Sequence, residues 1–124
     1  MPNVILKLSR KDRLYAIDLY CQLPEGKKYH KQWLKQYAGS TNKGYISALA
    51  FALSRFNKPS HISIYANNAY IVNILNEWLE KWSLSDWKNA KGKPVANVNE
   101  WRTIWQLIKG HEITAKENYG GIDT

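Results

Sequence analysis

Cysteine is almost absent from the sequence, since Cys21 is the only one among 124 residues. No disulfide can form within the chain, and a cysteine-rich zinc site is excluded. The three histidines, His30, His61 and His111, show no metal-ligand spacing. No apolar run approaches the roughly 20 residues of a membrane-spanning helix, and the first residues lack the layout of a secretion signal. These absences predict a soluble cytoplasmic protein with no cofactor, no metal and no membrane partner.

Acidic residues are also scarce, with ten Asp and Glu against eighteen Lys and Arg, which gives a formal net charge of +8. Such an excess favours polyanionic partners, of which nucleic acid is the most common. Six Trp and eight Tyr contribute to a hydrophobic fraction of 44%, enough for a packed interior. The length fits one domain, so residues 1–124 are predicted to form a single folded unit.

The periodicity of apolar residues predicts eight elements. Alternating residues indicate strands at 4–8, 13–22 and 27–37, joined by polar turns. Ser40, Thr41 and Asn42 are good helix starters, and the helix that follows ends before Asn57. A strand at 61–66, a helix over 71–79, a polar loop at 83–97, a helix over 98–110 and a strand at 111–117 complete the order. This order describes one mixed sheet with helices packed on it, in which strands one, four and five are parallel.

Three segments carry a resemblance to a known family. Residues 87–95 read WKNAKGKPV and residues 97–101 read NVNEW, residues 64–71 read IYANNAYI, and residues 41–49 read TNKGYISAL. These segments resemble the basic protrusion, the fourth-strand motif and the first-helix motif of the ribonuclease H family. The resemblance implies an α/β fold with a ribonuclease H-like five-stranded mixed sheet. We expect the family's C-terminal helix to be missing after Gly121.

The resemblance also implies where an active site would lie. Enzymes of the family cleave the RNA strand of an RNA:DNA hybrid with two Mg²⁺ ions, which need charged oxygen ligands. The aligned positions are Ser9, Tyr45 and Asn67, all uncharged, and the loop histidine falls near Gly121. We therefore expect a degenerate site without catalytic residues, and a protein that is not an enzyme. Asp18 is an alternative to Ser9 at the first position, and would serve a divergent metal-dependent nuclease.

Binding residues are likewise carried over from the resemblance. The protrusion segment keeps two tryptophans and three lysines, and the first-helix motif keeps an asparagine, so the candidate nucleic-acid contacts are Trp82, Trp87, Lys88, Lys91, Lys93 and Asn42. Packing between helices is the competing interpretation of Trp82, Trp101 and Trp105, and a helix N-cap that of Asn67. A second basic and aromatic stretch at 27–35 is predicted to be an edge strand, whose lysines often only block unwanted strand pairing.

These residues support two further hypotheses of function. The first is a non-catalytic protein that binds hybrid or duplex nucleic acid through a basic, Trp-rich protrusion, of the kind that phage and mobile elements make. Its affinity should fall as salt rises. The second is a protein-protein inhibitor or regulatory module that docks on a nucleoprotein enzyme.

Overall fold

The sheet has five strands in the order β3-β2-β1-β4-β5. A computed structural model describes residues 1–117 of the chain, and in it the strands are β1 Asn3–Lys11, β2 Leu14–Gln22, β3 Lys28–Gln36, β4 His61–Ala66 and β5 Glu112–Lys116. The first three strands are antiparallel neighbours, whereas β1 pairs with β4 and β4 with β5 in parallel. The predicted mixed sheet and its three parallel strands are confirmed.

The helices are α1 Thr41–Leu53, α2 Ala69–Asn73, α3 Leu79–Leu84 and α4 Val98–Ile108. A π-helical turn, Ile74–Trp78, joins α2 to α3. Such turns are rare and insert the equivalent of one extra residue, so they rotate the following helix relative to the preceding one. None of the helices within residues 1–117 is long and apolar enough to cross a membrane.

The core lies between the helices and one face of the sheet. Side chains alternate along a strand, so every second residue of β1, β2 and β4 points toward the helices. The strand residues Leu6, Leu8, Ile17, Ile62 and Ile64 are each at most 1% exposed. The helix residues that pack on them are equally buried: Ile46 and Leu49 of α1, and Trp101 and Ile104 of α4. Each such aliphatic side chain contributes about 1.5–3 kcal/mol to folding. This face fixes α1 and α4 on the sheet.

Three local expectations need correction. β1 continues to Lys11 instead of ending at Leu8, because the turn falls at Asp12, whose φ of 56° is left-handed. The N-cap of α2 is Asn68 rather than Asn67, since the Asn68 side chain accepts a hydrogen bond from Ile71 N–H at 3.2 Å. α1 ends at Leu53, although apolar residues at helical spacing predicted a helix that continues to Phe56. The predicted absence of a C-terminal helix after Gly121 lies outside the described residues.

Candidate nucleic-acid interface

Tyr45, the first-helix position, is buried in the core near the end of β1. Its ring packs edge-on against Tyr15, with centroids 5.4 Å apart, and only 5% of the residue is exposed. Burial raises the pKa of Tyr45, while the charge and hydrogen bond of Arg10 lower it in part. Tyr45 is therefore a neutral phenol at physiological pH, with a guanidinium beside it.

Ser9 and Asn67 follow the last paired residues of two neighbouring parallel strands, since the β1–β4 register ends at Leu8 and Ala66. Ser9 pairs across the sheet with Ala16, and strand alternation directs its side chain away from α1. Arg10, on the helix side, is the β1 residue that reaches Tyr45. Ser9 and Asn67 thus lie at the same end of two central strands. The Ser9 side chain, however, points to the face of the sheet opposite to the one on which α1 and Tyr45 lie.

Asn42 lies at the start of α1 and is exposed. Its side-chain oxygen accepts a hydrogen bond from Asn68 Nδ2 at 3.0 Å. Since Asn68 also caps α2, this bond links the first turns of the two helices. Asn42 keeps its amide N–H groups as possible donors to a phosphate or sugar.

Asp18, the alternative first-strand residue, lies in β2 on the open face of the sheet. Its carboxylate is 2.8 Å from His30 Nε2 and accepts a hydrogen bond from Gln32 Nε2 at 3.0 Å. Its partner across β1 is Lys7, whose side chain lies on the face opposite to α1. Asp18 therefore does not converge with Tyr45.

The side chains at the three aligned positions, Ser9, Tyr45 and Asn67, together with Arg10, do not fit a pair of Mg²⁺ ions. A phenol, a hydroxyl, an amide and a guanidinium supply no negative charge, whereas two adjacent divalent ions need several carboxylates. Within residues 1–117, no group of three or more His, Cys, Asp or Glu side chains is placed to hold a metal ion. The Gly121 position of the predicted loop histidine lies outside this range. His111, whose local sequence imitates that histidine, instead accepts a hydrogen bond from Ser60 N–H at 3.0 Å.

The lysine turn, residues 88–94, projects three exposed lysines, Lys88, Lys91 and Lys93. The Asn89 side chain accepts hydrogen bonds from Lys91 N–H at 2.9 Å and Lys93 N–H at 3.1 Å, and Asn89 N–H donates to Lys93 C=O at 2.7 Å. Gly92 adopts the left-handed φ of 79° that the turn requires. A β-bridge between Lys88 and Pro94 closes it. The lysines are consequently displayed on an ordered backbone.

A groove of about 680 Å³ lies beside this turn. The tryptophan groove, as we call it, is lined in part by Tyr70, Ile74, Trp78, Lys81, Trp82 and Lys88. The rings of Trp78 and Trp82 lie 6.4 Å apart at an angle of 31°, and Lys81 Nζ is 5.0 Å from the Trp78 ring centre. Trp78 is 44% exposed and was missed from the sequence. Its spacing of four residues from Trp82, which places both on one helix face, was the available signal.

Trp87 needs correction as a contact residue, because it is only 8% exposed. Its left-handed φ of 60° and the hydrogen bond from its N–H to Trp82 C=O at 2.8 Å turn the ring into the core. Trp87, the residue before the lysine turn, thus packs in the core. Trp101 is fully buried, Trp105 is partly buried against the core, and Trp82 is partly exposed at the groove.

Comparison with known proteins agrees with the fold. The sequence pattern of the RNase H family matches residues 9–120. A ribonuclease H of Chlorobium phaeobacteroides (strain BS1) is 33% identical over 96 residues, which make up 75% of this chain and 66% of that protein. A ribonuclease H of Clostridium botulinum (strain Hall) is 33% identical over 88 residues, 69% of this chain and 59% of that protein. The chain belongs to the ribonuclease H family.

Solved structures share the architecture at low sequence identity. The crystal structure of LC9-RNase H1, a type 1 RNase H with the type 2 active-site motif, has a TM-score of 0.71 at 15% identity, over 98% of this chain and 66% of that one. The foamy viral protease-reverse transcriptase in complex with RNA/DNA hybrid has a TM-score of 0.65 at 20% identity, over 93% of this chain and 17% of that one. These likenesses support the ribonuclease H-like sheet.

The prediction that this chain is not an enzyme is wrong. Several relatives at about 33 to 36% identity are themselves named Ribonuclease H, which points to a family of enzymes. Uncharged residues at three aligned positions were an insufficient basis for that prediction, since the alignment of Ser9 rested on the least similar part of the chain. The assignment of Ser9, Tyr45 and Asn67 to active-site positions stays a prediction.

Proposed function

We propose that this ribonuclease H-family domain binds an RNA:DNA hybrid across the tryptophan groove and the lysine turn. The observation that carries the proposal is the pair of Trp rings, 6.4 Å apart, in a groove that Lys81 and Lys88 also line. Lysines at the rim would contact phosphates and release counterions, and the rings would pack on sugars or on an unpaired base. The net charge of +8 adds a long-range attraction to any nucleic acid.

An RNA:DNA hybrid is the ligand we propose because of the names of the curated relatives and the nucleic acid bound in one structural neighbour. The curated relatives are named Ribonuclease H, and one structural neighbour was solved with an RNA/DNA hybrid and another with dsDNA. This chain spans 66% or less of the length of the relatives cited, so their activity and substrates are proposals for it. A protein partner, a mobile-element origin and a cytoplasmic location stay predictions.

Replacing Trp82 tests the groove. Trp82→Ala should weaken hybrid binding by about 5- to 160-fold, because stacking on an aromatic ring contributes about 1–3 kcal/mol per base. Fluorescence anisotropy with a short labelled hybrid measures the change, and Trp82→Phe should retain much of the affinity. Trp105→Ala is the control, since Trp105 is also a partly buried tryptophan but does not line the groove. Equal affinities for Trp82→Ala and the unaltered protein would contradict the proposal.

Cleavage of the RNA strand is a second candidate function, favoured by the names of the curated relatives. Incubation with Mg²⁺ or Mn²⁺ and a hybrid labelled on the RNA strand should then yield shorter RNA fragments. A variant with Lys88, Lys91 and Lys93 changed to glutamine, purified identically, controls for contaminating nuclease, whose activity would not depend on these lysines. An RNA strand that stays intact, or fragments formed equally by both preparations, would contradict cleavage by this chain.

A further inference from the structure

A second basic and aromatic surface lies on different elements from the tryptophan groove. We call it the β3–α1 patch, and it consists of Lys31, Trp33 and Lys35 on β3 with Phe51 and Arg55 from α1 and the residues just after it. Alternate residues of a strand share a face, so the three β3 side chains all lie on the side of α1. The Trp33 and Phe51 rings meet edge to face with centroids 5.7 Å apart. The patch is thus built from two elements that pack together.

Three cations surround these two rings. Lys35 Nζ lies 4.0 Å and Arg55 Cζ 4.9 Å from the centre of the Phe51 ring, and Lys31 Nζ lies 5.5 Å from the Trp33 ring centre. These distances are within the range of cation–π attraction, which favours positions of the charges beside the rings. Because Lys35 Nζ and the Arg55 guanidinium both lie near the Phe51 ring, the distance between their charges is shorter than the Debye length of about 10 Å at 0.1 M salt.

No acidic side chain in the described part of the chain neutralises this concentration of positive charge. Among residues 1–117, no Asp or Glu forms an ion pair with Lys31, Lys35 or Arg55. Like charges this close repel each other, and stability alone would favour an acid between them. Protection of an edge strand explains the lysines of β3 but not Arg55, which comes from another element.

A cleft of about 220 Å³ opens between the two elements beside Lys35. Tyr37 and Ser47 line it together with Phe51. Hydroxyl groups of this kind donate hydrogen bonds to phosphate and sugar oxygens. The cleft therefore adds two hydroxyl donors next to Lys35.

We propose that the β3–α1 patch is a second nucleic-acid contact, which binds the phosphate backbone of a duplex. Lys31, Lys35 and Arg55 contact phosphates, and the partly exposed Trp33 and Phe51 rings position them. The patch is carried by observations that are independent of the tryptophan groove, so it goes beyond the function proposed above.

Neutralising the patch tests this site. In the full chain, Lys31, Lys35 and Arg55 are changed together to glutamine, and the affinity for a short hybrid and for double-stranded DNA of the same sequence is measured from low to moderate salt. The slope of log affinity against log salt should become shallower by about 2 to 3, because each lost phosphate contact removes about 0.9. Changing Lys31 and Lys35 to arginine should leave the slope unaltered.

The matched control removes the same three charges elsewhere, at the exposed residues Lys58, Lys109 and Lys116. An equal change of slope in both triple variants would show an effect of net charge alone and would overturn the proposal. An unaltered slope in the patch variant would also overturn it, and altered self-association in that variant with normal binding would assign β3 to a protein interface instead. The proposal for the tryptophan groove can be overturned separately. Normal hybrid binding by Trp82→Ala, together with weakened binding by the patch variant, would overturn the groove and support the patch.

Discussion

Changing Lys88, Lys91 and Lys93 together to glutamine is expected to make the salt dependence of hybrid binding shallower by about 2.7, since each lysine–phosphate contact contributes about 0.9 to the slope. At low salt the affinity should fall at least about tenfold. The expectation depends on the ordered turn, in which the Asn89 side chain accepts hydrogen bonds from two backbone N–H groups. Because the backbone is already fixed, little ordering is required on binding.

The measurement is a series of binding isotherms for the labelled hybrid over a range of salt. The control triple variant at Lys58, Lys109 and Lys116 loses the same formal charge, so its slope reports the contribution of net charge. If the two slopes agree, the lysine turn does not contact phosphates. Replacing Asn89 with alanine should give an intermediate loss of affinity without any change of charge, because the three lysines stay but their backbone loses two hydrogen bonds.

The order and type of elements could be predicted because the signal is local. Apolar residues at intervals of two or of three to four fixed the five strands and the main helices. The interruption of the helix after β4 by the π-turn at Ile74–Trp78 was not predicted, because the apolar residues of this segment fit the spacing of an uninterrupted α-helix. The cap was misplaced by one residue because Asn67 and Asn68 are chemically identical, and only the backbone decides which side chain reaches Ile71 N–H.

The candidate site was predicted less well, because it depends on which way side chains point. Three lysines of the protrusion were found from their sequence segment, and they are exposed on one turn. Trp87 belongs to the same segment, yet its left-handed backbone directs the ring into the core. Strand alternation likewise separates Ser9 from Tyr45, and the register that decides this is set by pairing with β2. Neither property can be read from residue type.

Gly44→Ala should lower the free energy of unfolding by about 2 kcal/mol or more, although alanine is the better helix former by about 1 kcal/mol. Gly44 is buried in α1, and an added Cβ would stand 2.1 Å from Tyr15 Oη and 2.2 Å from its Cζ. Tyr15 cannot easily move away, because it is 2% exposed, packs on Tyr45, and donates a hydrogen bond to Thr41 C=O at 3.3 Å. Overpacking of this kind typically costs about 1–3 kcal/mol, and a buried aromatic ring has the least room to yield.

Urea unfolding followed by circular dichroism measures the effect, with Ser47→Ala as the control in the same helix. Ser47 is exposed, so its replacement should change stability by less than about 0.5 kcal/mol. In a Tyr15→Leu background the alanine should cost much less, because the colliding ring is gone and residues in contact are energetically coupled. A Gly44→Ala protein as stable as the unaltered chain would mean that α1 does not approach β2 at Gly44 as closely as described. The placement of Tyr45 beside Tyr15 and Arg10 would then need revision as well, because the same approach of helix to sheet determines it.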